Sequence, residues 1–95
     1  MSAYAIMIRD KMIDADAFAI YSKMAGEARG DHQIKPLAFY GASETAEGLE
    51  ADGVVLLEFP DMAAAKAWYY SDAYQAAAAQ RKRASEYRVI FVEGL

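Results

Sequence analysis

The chain has 95 residues, of which 56% are hydrophobic, and it carries a formal net charge of −4 with no cysteine. This length suits one domain spanning residues 1–95, and the lack of cysteine excludes disulfides, thiol catalysis and thiolate metal sites. The acidic balance argues against a nucleic-acid partner. Because no apolar run reaches the length of a membrane span and no leader-like segment opens the chain, we expect a cytoplasmic protein without membrane contact.

The first part of the sequence predicts a strand, a helix and a second strand. Residues 3–9 are apolar at odd and even positions alike, as in a strand covered on both faces. Asp14 is a favourable N-cap for a helix of about fifteen residues, which Gly30-Asp31 ends. The second strand is expected at residues 34–40, on a sheet edge, because Pro36 has no backbone N–H to donate.

The second part predicts a loop, a strand, an interrupted helix and a last strand. Residues 41–53 read as an acidic loop before the apolar strand 54–59. Asp61 is expected to cap the following helix, and Ser71-Asp72 to interrupt it, with Asp72 and Gln75 at capping-box spacing. Such a break tilts the two helical pieces, so we expect a gap between them and the sheet. Residues 87–92 complete the pattern as a fourth strand.

This order, βαββαβ, predicts an α+β domain of the ferredoxin-like type, an antiparallel sheet with both helices on one face. The first and third strands are expected side by side in the centre, and this pair is expected to run parallel. Both are apolar on two faces, whereas the helices cover only one. We therefore expect the free face to pair with the same face of a second copy, which gives a homodimer.

The aromatic residues are the candidates for ligand binding. Positions 68–74 hold a tryptophan and three tyrosines. Trp68, Tyr69 and Tyr74, together with Tyr40 at the end of the second strand, are predicted to line a pocket for a small organic molecule. The alternative is that these side chains are core residues whose polar tips meet a backbone partner.

Three charged or titratable residues are candidates for chemistry. Arg81 begins a basic cluster at the end of the last helix, where cations favour the helix dipole. His32 is either a general base or an exposed loop residue. Glu58 is expected to form an ion pair with Arg9 or, if buried, to serve as an acid or base with a raised pKa. One histidine and no cysteine make a metal site unexpected, and no cofactor is expected.

Four short segments carry a family pattern: Glu58-Phe59-Pro60, Ala67-Trp68-Tyr69-x-Ser71-x-x-Tyr74-Gln75, Arg81 and Val92-Glu93-Gly94. They resemble the bacterial domain-of-unknown-function family 1330, which belongs to the dimeric α+β barrel superfamily. The resemblance covers essentially the whole chain and implies the ferredoxin-like fold and the sheet-to-sheet dimer. It implies no activity, because none is established for the family. The family's Arg-Gly-Gly after strand two is replaced by Tyr40-Gly41-Ala42, which removes the arginine that anion binding there would need.

Two classes of function stay open at this point. The superfamily also holds cofactor-free oxygenases, isomerases, dehydratases and haem-degrading enzymes, so fold analogy implies a small-molecule enzyme. A cofactor-free oxygenase or isomerase acting on an aromatic compound suits the residues, with Arg81 or His32 handling charge. Haem is disfavoured because the second helix offers no histidine. The alternative is a non-catalytic dimeric module that binds a metabolite or stabilises another protein.

Overall fold

The computed structural model describes residues 1–95 and contains four strands and three helices. In chain order they are β1 (Ala3–Met12), α1 (Ala15–Ala28), β2 (Lys35–Phe39), β3 (Gly53–Phe59), α2 (Met62–Tyr69), α3 (Asp72–Ala84) and β4 (Ser85–Glu93). The predicted βαββαβ order is confirmed, with the second helix divided into α2 and α3. None of the helices has the length and apolar character needed to span a membrane.

The four strands form one sheet in the order β2-β3-β1-β4, and every neighbouring pair is antiparallel. β1 and β3 are the central pair, as predicted, but the prediction that they run parallel is wrong. After α1 the chain re-enters the sheet as β2 in the same direction as β1. β3 pairs antiparallel with β2, so it must also oppose β1. Pro36 lies on the edge strand β2, where its missing N–H costs no ladder hydrogen bond.

Side chains accept hydrogen bonds from the first backbone N–H groups of all three helices. The carboxylate of Asp14 accepts from two N–H groups of α1 at 3.1 Å, and that of Asp61 accepts from Ala64 N at 2.8 Å. Ser71, rather than Asp72, caps α3, because its Oγ accepts from Tyr74 N at 3.2 Å. The same Oγ donates to Trp68 O at 2.7 Å. Ser71 therefore joins the end of α2 to the start of α3.

The two faces of the sheet differ in cover. Ala3, Ala5 and Met7 of β1 and the odd-numbered residues of β3 lie buried beneath the helices. The opposite face, termed the outer face, has no layer over it within the chain. Its apolar residues are half-buried or exposed: Tyr4, Ile6, Ile8, Val54, Leu56, Ile90 and Val92.

Within the helical layer, α1 packs chiefly against α3 rather than against the strands. Phe18 and Tyr21 of α1 are buried, whereas the next turns of the helix carry the small residues Ala25 and Gly26. Small side chains on this stretch leave space between α1 and the sheet on the side of the edge strand β2.

Candidate functional site

A cavity of about 340 Å³ lies between α1 and the sheet. Its walls are mostly apolar, and its aromatic members are Tyr21, Phe39, Tyr40, Trp68, Tyr74 and Tyr87. Apolar side chains of the strands, Met7, Val55 and Leu57 among them, complete the lining. Such walls, with few polar groups, are typical of small-molecule sites.

The cavity opens to solvent between α1 and β2. Ser22, Gly26 and Arg29 of this rim are exposed, and so is Phe39, with 67% of its surface accessible. At the inner end Tyr74 has no accessible surface. The site is therefore a pocket with one mouth at the sheet edge and a closed floor at the junction of α2 and α3.

Four of the lining residues, termed the tyrosine quartet, bring their hydroxyl groups together in pairs. They are Tyr21, Tyr40, Tyr74 and Tyr87. Tyr21 Oη lies 2.8 Å from Tyr74 Oη, and Tyr40 Oη lies 2.6 Å from Tyr87 Oη. Buried hydroxyls need such partners. The quartet places a small polar patch inside an otherwise apolar cavity.

Arg81 lies behind this patch. Only 3% of its surface is accessible, and its Nη1 donates to Tyr74 Oη at 2.8 Å. Its Cζ is 4.9 Å from the centre of the Tyr87 ring, within cation–π range. The helix-dipole explanation therefore suits the exposed neighbours Lys82 and Arg83, whereas Arg81 turns inward.

Burial raises the pKa of every quartet member above that of an ordinary tyrosine. For Tyr21 and Tyr40 burial outweighs the opposing effect of the partner hydroxyl. For Tyr74 and Tyr87 burial is reinforced by the neighbouring tyrosines. The four hydroxyls are therefore neutral near pH 7 and act as hydrogen-bond donors and acceptors, not as bases.

Tyr40 reaches the cavity through an unusual backbone conformation. Its φ of 52° lies in the left-handed region, which glycine normally occupies. Its ring lies under the Arg9 guanidinium at 4.9 Å and 6.1 Å from the Phe18 ring. Gly53 is packed against it, since a Cβ there would lie 2.8 Å from Tyr40 Cδ1.

Three of the four predicted ligand-binding residues line this cavity: Tyr40, Trp68 and Tyr74. Tyr69 does not. Its ring packs on Phe91 at 5.3 Å and on Tyr74 at 5.4 Å, so it supports the wall from outside.

His32 and Glu58 lie elsewhere, at an open, polar depression of about 360 Å³. The predicted ion pair between Glu58 and Arg9 is wrong. Arg9 stands opposite Gly53 in the antiparallel register, at the far end of β3, and its Nε pairs with Asp52 Oδ2 at 3.0 Å. Glu58 instead accepts a hydrogen bond from Tyr4 Oη at 3.2 Å. The inward Arg81 is therefore separated from His32 and Glu58, which line the same depression.

Tyr21 and Tyr87 were not predicted as site residues. Tyr21 lies on the apolar stripe of α1, one turn after Phe18, and Tyr87 lies on the helix-covered side of β4. A tyrosine on a buried face needs a partner for its hydroxyl. That requirement is the signal by which the sequence could have indicated them. The structure shows no cluster of three or more acidic or histidine side chains suited to a metal ion.

Comparison with solved structures supports the fold. The chain is 20% identical to RPA0582, a protein of unknown function from Rhodopseudomonas palustris, with a TM-score of 0.74 over 99% of this chain and 81% of that one. A dimeric ferredoxin-like protein of unknown function from Jannaschia sp. CCS1 is 17% identical, with a TM-score of 0.65 over 99% and 100% of the two chains.

A more distant structure has a described activity. SnoaB, a cofactor-independent oxygenase from Streptomyces nogalater, is 10% identical, with a TM-score of 0.56 over 98% of this chain and 91% of that one. At these identities the likeness is one of fold alone. No curated protein matches the sequence. The model of a domain of unknown function, DUF1330, matches residues 2–95, and the chain therefore belongs to the DUF1330 family.

Proposed function

We propose that this protein binds a small, mainly apolar organic molecule in the cavity between α1 and the sheet, and does so as a homodimer. The observation that carries the proposal is the cavity itself, in which apolar walls surround the hydroxyls of the tyrosine quartet. Its volume of about 340 Å³ is at the lower end of the range for small-molecule sites, which suits a compound of one or two rings.

The aromatic walls favour an aromatic ligand. The Trp68 and Tyr74 rings lie 4.3 Å apart at the closed floor, and Phe39 stands at the mouth. Rings prefer edge-to-face or offset contacts with other rings, which add to the free energy gained by burying apolar surface. The paired hydroxyls would then orient the ligand through its polar group.

The cavity supports binding better than catalysis. A cofactor-independent oxygenase, which is the activity of SnoaB, is the second candidate function. A reaction that begins by removing a proton needs a base, and the lining contains no carboxylate and no imidazole. The tyrosines are unsuited to that role because burial raises their pKa. The hydroxyls could still stabilise negative charge on a bound molecule.

The homodimer is proposed from the outer face. Its half-buried isoleucine, leucine and valine side chains have no cover within the chain, and burying them gains free energy in proportion to apolar area. Three of the similar structures are described as dimeric proteins with a ferredoxin-like fold, which supports the same arrangement. The cavity lies on the opposite side of the sheet, so dimerisation leaves its mouth free.

Trp68 gives a direct test, because it is the only tryptophan and it lines the cavity. Small phenols and aromatic acids at sub-millimolar concentration are expected to quench or shift its fluorescence. Gly26→Phe should abolish the response, because it places a large ring at the mouth. Gly26→Ala is the matched control. An added Cβ at Gly26 meets no atom within 4 Å, so the cavity stays open and α1 gains about 1 kcal/mol of helix stability.

The proposal fails if no compound of this panel changes the emission of the folded wild type. It also fails if Gly26→Phe responds as Gly26→Ala does, because the compounds would then bind outside the cavity. Tyr74→Phe, which keeps the ring and removes the hydroxyl, is expected to weaken binding without blocking it.

A further inference from the structure

Arg81 is a buried charge without an opposite charge. Its surface is 3% accessible, and the chain's two ion pairs, Arg9–Asp52 and Arg88–Asp10, do not include it. Its Nε is buried and has no hydrogen-bond partner. A guanidinium stays protonated in proteins, and burying an unpaired charge costs free energy. The folded chain offsets this cost only with neutral groups, a hydrogen bond to Tyr74 and contacts with tyrosine rings.

Three of the groups around this guanidinium are neutral tyrosines that face the cavity. Nη1 donates to Tyr74 Oη, and Cζ lies 4.9 Å from the Tyr87 ring and 5.8 Å from the Tyr21 ring. All three rings line the cavity. The positive charge therefore lies one side chain behind the cavity wall, where low polarity keeps its field strong.

The tyrosine quartet has more hydroxyl hydrogens than its internal hydrogen bonds use. Each hydroxyl has one hydrogen, and each pair uses one of its two hydrogens for the bond within the pair. One hydrogen in each pair is left over. Because Arg81 already donates to Tyr74 Oη, a chain of donors can run from Arg81 through Tyr74 to Tyr21. The hydrogen of Tyr21, which lines the cavity, is then free for a bound molecule. The quartet thus offers two free donors, and the cavity lining carries no negative charge.

We infer that the ligand of this cavity is an oxyanion, the carboxylate or phenolate of a small aromatic acid, held by the free hydroxyl hydrogens of the tyrosine quartet and balanced by Arg81. This inference rests on the proposed binding function and names the ligand class. Arg81 does not touch the ligand; it acts through Tyr74 as a positioning residue. The negative oxygen would supply the opposite charge that the chain lacks.

Benzoate and benzamide test the inference, since they share a shape and differ in charge. Calorimetry of the wild type at neutral pH is expected to show that benzoate binds about tenfold more tightly than benzamide. In Arg81→Met this preference should disappear, whereas Arg81→Lys should restore part of it. Lys82→Met is the matched control, because it removes an exposed cation one position along α3 and should leave the preference unchanged.

A second measurement needs no variant at Arg81. 4-Nitrophenol changes colour on ionisation, so its pKa can be read while it is bound to the wild type. We expect that pKa to fall below its value in free solution. Tyr21→Phe, which removes a donor and leaves Arg81 in place, should reduce the fall.

The outcomes separate the inference from the proposed function. If benzamide binds as tightly as benzoate, the cavity binds aromatic molecules but the oxyanion inference is wrong. The inference is also wrong if Arg81→Met keeps the preference, or if bound 4-nitrophenol ionises at the same or higher pH than free 4-nitrophenol. If none of the three compounds binds the folded wild type, the binding function fails and the inference fails with it.

Discussion

Tyr40 shows how one residue can depart from the alternation of its strand. Phe39 pairs with Val55 and faces the cavity, so an ideal strand would direct the next side chain to the outer face. The φ of 52° at Tyr40 turns it back, and two successive rings reach the same cavity. A non-glycine residue in this region costs about 1–2 kcal/mol. The contacts of Tyr40 with Arg9, Gly53 and Tyr87 offset that cost.

The neutral quartet predicts alkaline instability. Unfolded tyrosines lose their protons at about pH 10, whereas the native Tyr21 and Tyr74 keep theirs, because burial raises their pKa. Above that pH the native state binds more protons than the unfolded state, so the free energy of unfolding falls as pH rises. The slope is about 1.4 kcal/mol per pH unit for each tyrosine held neutral.

Denaturant unfolding monitored by circular dichroism at several pH values above neutrality checks this. We expect the contribution of these tyrosines to the free energy of unfolding to be constant below about pH 9 and to fall above about pH 10. Tyr74→Phe should make the fall shallower. The absorbance of tyrosinate shows whether the prediction is wrong. If all tyrosines of the folded chain ionise at about pH 10, as unfolded tyrosines do, the quartet is not held neutral.

At the scale of elements, the signals that predicted the fold were local ones. Asp14 and Asp61 marked the starts of two helices, and both cap them. Pro36 marked the edge strand. These signals succeed because a cap or a proline acts through its own backbone and its near neighbours in sequence.

The site was only partly predictable, because it depends on register and side-chain direction. The error in the direction of β3 placed Glu58 beside Arg9, whereas the true register pairs Arg9 with Gly53. Arg81 looked like its exposed neighbours Lys82 and Arg83, since only packing of α3 decides which cation turns inward. Trp68 and Tyr74 could be predicted because their spacing about Ser71 puts both near one helix junction.

That junction gives a prediction at this scale. Ser71→Ala removes the acceptor for Tyr74 N and the donor to Trp68 O, and should lower the free energy of unfolding by about 1 kcal/mol. Because Trp68 and Tyr74 form the cavity floor, the Trp68 emission should shift as well. Asp61→Ala is the matched control: it removes the cap of α2 at a similar cost but leaves the junction intact. Equal shifts in both variants would mean that Ser71 has no special part in shaping the floor.

For the whole molecule, the sheet separates two surfaces with different proposed roles. The helix-covered side holds the cavity, and the outer face carries a strip of apolar residues that includes Ile6, Leu56 and Ile90. The strip is continuous across strands, because Ile6 stands opposite Leu56 on one side and Ile90 on the other. A strip of this kind is the surface on which a two-fold partner presents the same residues in return.

The last prediction concerns this strip. Light scattering at micromolar concentration should give twice the chain mass of 10.5 kDa. Leu56→Lys places a charge in the centre of the outer face, and an unpaired charge buried between two sheets costs about 3 kcal/mol or more. Dimer affinity should therefore fall by roughly a hundredfold or more. Because Leu56 is only half-buried within one chain, the monomer should stay folded by circular dichroism.

Ile20→Lys is the matched control, since it makes the same kind of change at an exposed position of α1, away from the strip. It should leave the mass unchanged. A wild type that is monomeric at every concentration would overturn the sheet-to-sheet dimer. Dissociation by Ile20→Lys but not by Leu56→Lys would instead place the interface on the helical layer, on the same side of the sheet as the cavity.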